Sequence, residues 1–200
     1  MKQYGTVFLS AVPMRALPSH KSEMVNQLLQ DDGVEILDVQ PEWLKVRSLY
    51  DGYEGWVSDK QLRLSNDCPP EPPMGNESDP VAVAERYLNA PYLWGGRTIM
   101  GIDCSGLVQV VFRACGKRLP RDASQQAQCG VAVPFSEIKS GDLAFFSNPE
   151  GKIIHVGIAD GDGGIIHSSG YVHRATLDAT GILDIRTGTY SHHLDRIRRV

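Results

Sequence analysis

Cysteine and histidine are the residue types through which this chain could do chemistry. Cys104 opens the run Cys104-Ser105-Gly106-Leu107-Val108-Gln109-Val110-Val111-Phe112-Arg113-Ala114-Cys115-Gly116. In it Leu107, Val108, Val111, Phe112 and Cys115 recur at the spacing of one helical face, and Gly116 stands where such a helix would stop. A thiol in the first turn sits among unpaired backbone N–H groups at the positive end of the helix dipole. There, beside an imidazolium, its pKa falls from about 8.5 to roughly 3.5 to 7.5. Unpaired cysteines are otherwise small core residues, so the neighbours of Cys104 must decide between core and nucleophile.

Those neighbours come from two β-patterned runs, Ile153-Ile154-His155-Val156-Gly157-Ile158-Ala159 and Gly164-Ile165-Ile166-His167-Ser168-Ser169, joined by Asp160-Gly161-Asp162-Gly163. The join is a strong hairpin signal. A turn centred on Gly161 puts His155 directly opposite His167 on one face, with Cβ atoms about 4.5 to 5.5 Å apart. Nucleophilic thiol chemistry needs a base and a third group to fix the tautomer of that base. Cys104, His155 and His167 can fill these roles in that order. Zinc is the competing use of one cysteine and two histidines, but no H-E-x-x-H motif accompanies them. Asp160-Gly161-Asp162-Gly163 lacks the later ligands and closing glutamate of a calcium loop. No metal or other cofactor is expected. His192 and His193 have no partner by pattern and read as surface.

The elements that must position these residues follow from the rest of the chain. Residues 1–65 alternate short β-patterned runs with turns: Gly5 to Ser10, Glu23 to Leu29, Gly33 to Val39, Trp43 to Ser48 and Gly52 to Ser58. Strands so short and regularly spaced predict a small barrel. Residues 66–78 contain four prolines and form a semi-rigid linker. Residues 79–200 form a second domain. Asp79-Pro80 caps a helix running to Leu88, Pro91 to Arg97 is a loop, and Asp122 caps a short helix over Ala123 to Gln128. Strands follow over Asp142 to Ser147, Ile153 to Ala159, Gly164 to Ser169, Ile182 to Ile185 and Leu194 to Val200. Helices first and an antiparallel sheet afterwards predict an α+β class.

The 200 residues are 42% hydrophobic with a net charge of −4, which allows a sizeable core and gives no reason to expect nucleic acid or an anionic membrane as partner. No run approaches the roughly 18 apolar residues of a membrane span, and the first residues lack the pattern of a signal peptide. A cytoplasmic monomer is therefore expected, or an exported one if a leader has been removed. Cys68, Cys104, Cys115 and Cys129 make no C-x-x-C pair and are expected as reduced thiols.

Val12-Pro13-Met14-Arg15, Glu42-Trp43-Leu44-Lys45-Val46 and Gly55-Trp56-Val57 make residues 1–65 resemble a bacterial SH3 domain. Tyr92-Leu93-Trp94-Gly95-Gly96, Asp103-Cys104-Ser105-Gly106, Leu119-Pro120-Arg121-Asp122, Gly141-Asp142-Leu143, His155-Val156-Gly157-Ile158 and Ile166-His167-Ser168 make residues 79–200 resemble the NlpC-type cysteine peptidases of bacterial cell-wall metabolism. The combination is similar to γ-D-glutamyl-L-diamino acid endopeptidases. That resemblance implies a papain-like α+β fold and hydrolysis of peptidoglycan stem peptides, L-Ala-γ-D-Glu-diamino acid, with a free L-Ala amine. It implies Cys104 as nucleophile, His155 as base and His167 as orienting group. Tyr92, Trp94, Asp103, Ser105 and Asp122 would line the pocket, with Asp32 and Tyr53 from the SH3 domain reaching the amine. Asp32 stands where glutamate is usual and Ala123 where serine is expected. The alternatives are an exported hydrolase of intact wall and a non-catalytic wall-binding SH3 protein.

Overall fold

The structure, a computed structural model, describes residues 2–200. They divide into two compact units, residues 1–73 with 93–98, and residues 74–92 with 99–200. The content is mostly β, with few and short helices.

Unit 1 contains β1 (Gln3–Val7), β2 (Ala11–Arg15), β3 (Met24–Leu29), β4 (Gly33–Gln40), β5 (Trp43–Ser48), β6 (Glu54–Ser58) and β7 (Leu62–Ser65). They form an antiparallel sheet in the order β3-β2-β6-β5-β4-β1-β7. Alternating inward residues, among them Val12, Met14, Leu28, Val34, Leu44, Val46 and Val57, meet in one core against which Tyr53 packs. β2 escapes sequence reading because Pro13 interrupts it. Proline lacks the N–H of a central strand, and β2 meets β6 only at Arg15↔Trp56. The segment 93–98, whose end is the short strand β8 (Arg97–Thr98), belongs to this unit. Gly95 lets it approach: at φ 77°, a Cβ there would lie 2.5 Å from the Met24 carbonyl oxygen.

Unit 2 opens with α1 (Pro80–Glu85), whose N-cap Asp79 accepts from the Val81 and Ala82 N–H groups at 2.9 and 3.2 Å. The helix stops before the expected Leu88 and the chain turns at Asn89, φ 69°. After β9 (Gly101–Ile102) come α2 (Cys104–Ala114) and α3 (Ala123–Gln126). Gly116, at φ 74°, ends α2 as expected, with the Lys117 N–H donating to the Phe112 carbonyl. The strands are β10 (Val131–Val133), β11 (Leu143–Ser147), β12 (Ile153–Ala159), β13 (Gly164–Ser169), β14 (Tyr171–Leu177), β15 (Gly181–Asp184) and β16 (Thr189–Arg199). The expected antiparallel sheet is present, and because β15 pairs with both β14 and β16, β11 to β16 close into a six-stranded barrel with β10 added outside β16. Ala144, Phe146, Ala159, Ile165, Leu177 and Ile182 fill its interior. Closure removes the free edges that an open sheet would present.

The hairpin register differs from the expected one. Ile158 pairs with Ile166 and Ala159 with Ile165, which centres the turn on Asp162. His155 and His167 are therefore diagonal across the strand pair, two positions out of step. A shift of two keeps both on the same face, because side chains alternate with period two.

Candidate active site

Cys104 is the first residue of α2. Its N-cap, Asp103, accepts from the Gly106 N–H at 2.7 Å. Cys104 is 8% exposed, and the backbone N–H groups of Val156 and Ser105 favour its charged form. Val156 follows His155 directly on β12, and α2 packs against that strand. The His155 and His167 rings meet at 2.8 Å, Nε2 to Nδ1. Ser168 ties β13 to the segment leading into α2, its hydroxyl donating to the Ile102 carbonyl at 2.8 Å.

The start of α2 is held by a buried network. Arg121 donates to Asp103 Oδ1 at 3.0 Å and to Ser105 Oγ at 2.8 Å, with a further ion pair to Asp103 Oδ2. Gln126 Nε2 donates to the carbonyls of Ser105 (3.0 Å) and Pro120 (2.9 Å). Asp103 and Ser105, expected to line a pocket, are buried and hydrogen-bonded within this network, which fixes the helix start. Arg121 stands within the quoted Leu-Pro-Arg-Asp run without a role assigned to it. A burial signal was lacking, because arginine is seldom a buried residue unless paired.

Charge is disfavoured throughout this site. Burial, and then the Asp103 carboxylate, push the Cys104 thiol up to about 12, against the opposing pull of the Val156 and Ser105 N–H groups and Arg121. The expectation of a thiol made acidic by its helix is thus overturned: desolvation exceeds what the helix start supplies. Burial likewise drives His155 far below the ordinary imidazole value, with His192, His167 and His173 adding to the effect, and takes His167 down to about 3. Burial thus favours the neutral form of the thiol and of both imidazoles. Tyr92, paired with Ile102 and bonded through its N–H to the Gly170 carbonyl, is raised to about 12 by burial and by the nearby Cys104 and Asp103. Its hydroxyl therefore stays a donor at neutral pH.

His192 is corrected from surface to site. Half-buried on β16, its ring stacks on His155 with centroids 4.2 Å apart and planes at 26°. His173 on β14 lies against His167 at 4.5 Å. His193 is exposed, as expected. β14 and β15 pair only at Thr176↔Leu183 and Leu177↔Ile182. A cavity of about 690 Å³ lined by His167, His173, Arg174, Arg186 and Ser191 occupies the space beside them. Among the described residues, no group of three or more histidine, cysteine or acidic side chains is arranged to hold a metal ion, and no helix is long and apolar enough to cross a membrane. The four cysteines are free thiols.

Asp122 is the half-buried N-cap of α3, its N–H donating to Gln125 Oε1 at 3.4 Å. The remaining expected site residues belong to unit 1. Trp94 is 59% exposed and donates through Nε1 to Glu23 at 2.7 Å. Tyr53 packs on the unit 1 core. Asp32 is fully buried, accepting from the Leu29 N–H at 2.8 Å and pairing with Arg97 at 3.5 Å. A carboxylate so enclosed helps hold the 93–98 segment in place through Arg97.

Residues 89–199 match the NlpC/P60 family. This chain belongs to that family. Residues 14–62 match the bacterial dipeptidyl-peptidase Sh3 domain. Among curated relatives, the γ-D-glutamyl-L-lysine dipeptidyl-peptidase of Bacillus subtilis is 38% identical over 140 residues, covering 69% of this chain and 46% of the relative. The protein of the same name in Bacillus cereus is 34% identical over 125 residues, 60% of this chain and 36% of the relative. The NlpC/P60 chain thus spans less than half the length of these two relatives. A solved NlpC/P60 structure from Bacillus cereus shares its fold, with a TM-score of 0.56 at 24% identity, over 99% of this chain and 63% of that one.

Proposed function

We propose that this chain is a cysteine peptidase that cleaves the bond between γ-D-Glu and the L-diamino acid in peptidoglycan stem peptides carrying a free N-terminal L-Ala, a reaction suited to muropeptide recycling. The observation that carries the reading is the 2.8 Å approach of His155 Nε2 to His167 Nδ1, with Cys104 opening α2 and its thiol influenced by the N–H of Val156, the residue that follows His155 on β12. The names of the curated relatives support the choice of γ-glutamyl bond.

Because His155 Nε2 is committed to His167, Nδ1 is the nitrogen left to act on the thiol. That requires Nε2–H to donate to His167 Nδ1, and His167 to carry its own proton on Nε2. With burial favouring the neutral thiol and the neutral imidazole, His155 takes the Cys104 proton as the sulfur attacks the γ-carbonyl carbon. The oxyanion so formed accepts from the Cys104 backbone N–H and the Tyr92 hydroxyl. As the C–N bond breaks, His155 returns the proton to the leaving amine. Water then attacks the thioester with His155 again as base, releasing L-Ala-γ-D-Glu and restoring the thiol. Asp122, half-buried on unit 2, is the carboxylate assigned to the free L-Ala ammonium.

The test offers the protein L-Ala-γ-D-Glu-meso-diaminopimelate beside the same peptide capped on its alanine by N-acetylmuramic acid, with products read by mass spectrometry and Cys104→Ala as control. Cleavage of the free peptide alone, lost in Cys104→Ala, is the expected result. Cleavage of both peptides would make the chain a hydrolase of intact wall, and turnover by Cys104→Ala would remove the nucleophile.

A further inference from the structure

We propose that His192 is a positioning residue of the catalytic pair: its ring, stacked flat on His155, fixes the plane of the base and shields the His155–His167 hydrogen bond from water. The inference rests on the reading of His155 as the base.

Geometry carries it. Two rings with centroids 4.2 Å apart and planes at 26° leave His155 no free rotation about its Cβ–Cγ bond on that side. Phe146 lies against the same two rings, 5.8 Å from His155 and 5.9 Å from His192. His167 meets both edge-on, at 5.1 and 6.0 Å. His155 thus sits between a flat imidazole from β16, a phenyl ring from β11 and its hydrogen-bonded partner from β13. A hydrogen bond kept from water is stronger than an exposed one, and a base whose ring plane drifts loses its alignment with the nucleophile. His192 is itself placed by β16, where it pairs with Ile182 and has Nδ1 3.0 Å from Ser191 Oγ.

The stack also has an electrostatic consequence. During turnover His155 becomes an imidazolium, and a neutral aromatic face attracts a cation. A protonated His192 would repel it. The titratable groups acting on His155 are His192 from β16, His167 from β13 and His173 from β14; β11 contributes Phe146, which does not titrate. Burial lowers the His192 pKa below its ordinary value, which favours the neutral face.

The experiment measures kcat, KM and their pH dependence for the full chain with His192→Ala, His192→Phe and His192→Lys, using the γ-D-glutamyl tripeptide. His192→Ala should lose on the order of tenfold to a hundredfold in kcat with KM little changed. His192→Phe keeps a flat face without a titrating nitrogen. It should recover most of that loss and extend activity to lower pH, while His192→Lys should be the poorest of the three. Thermal melting identifies any variant that fails to fold, and ¹⁵N spectra of the histidine rings report the His155 Nε2–H bond directly in those that do fold. Wild-type kcat and pH profile in His192→Ala would overturn the inference, as would equal loss in His192→Ala and His192→Phe. If Cys104→Ala is inactive while His192→Ala is unimpaired, this inference alone falls. If Cys104→Ala turns over, the peptidase reading falls first.

Discussion

Gly157 faces His167 across the β12–β13 pair: a Cβ placed on Gly157 would lie 3.0 Å from the His167 Cβ and 2.6 Å from Ile165 Cδ1. The diagonal approach of His155 to His167 therefore depends on a missing side chain between them. Gly157→Ala forces the strands apart or turns His167. Overpacking of this kind costs about 1 to 3 kcal/mol, but its larger effect should be a kcat lower by roughly ten- to a hundredfold. Melting curves and kcat measured together check this, and a variant with unaltered kcat would show that the pair tolerates displacement.

Arg121 and Asp103 are each almost fully buried and paired. Arg121→Met leaves the Asp103 carboxylate without its guanidinium and should cost about 3 to 5 kcal/mol of stability in urea denaturation. The double variant Asp103→Asn, Arg121→Met should cost clearly less than the sum of the two single changes. Strict additivity would mean the pair does not interact as described.

Stability should fall in acid through His167. Its folded pKa of about 3 lies below the ordinary 6.5, so between these values the unfolded chain binds a proton that the folded one refuses. The neutral form is fully favoured above pH 6.5, and stability is lost as pH falls toward 3, by about 1.4 kcal/mol per pH unit from this group. His155, shifted in the same direction, adds to the slope. Urea midpoints between pH 7 and 4.5 should show a steeper loss in the wild type than in His167→Gln, and parallel slopes would contradict the shift.

Cys104 should be slow to alkylate at neutral pH. With Cys68, Cys115 and Cys129 replaced by serine or alanine, iodoacetamide should modify Cys104 far more slowly at pH 7 than a free thiol. The rate should climb about tenfold per pH unit through pH 9, as thiolate is what reacts. A plateau from pH 5 to 8 would instead reveal a standing thiolate–imidazolium pair.

Much of the site was legible because its residues lie in local patterns. Cys104 begins a strongly periodic helix, and His155 and His167 flank a turn whose glycines announce it. The one-residue error in the turn centre did no damage to the shared face, because it moved the pairing by two. What stayed hidden depends on distant parts of the chain. Nothing in its own segment points His192 toward His155, and barrel closure carries it there. β14 was missed because its inward residues include His173 and Ala175 in place of large apolar ones, which blurs the alternation. The neutrality of the thiol was also illegible, since position on a helix can be read from spacing whereas the depth of burial cannot. Asp32 shows the same limit: a motif position suggests contact with a ligand, and only packing reveals that Arg97 already holds the carboxylate.

β16 joins β10, β11 and β15, and it is the last strand of the barrel to be synthesised. Cys104, His155 and His167 all emerge earlier, onto a sheet that cannot yet close. Pairings between segments so far apart in sequence form late in folding. The sheet that carries His155 and His167 can therefore close only once β16, the strand that also supplies His192, has paired with both β11 and β15.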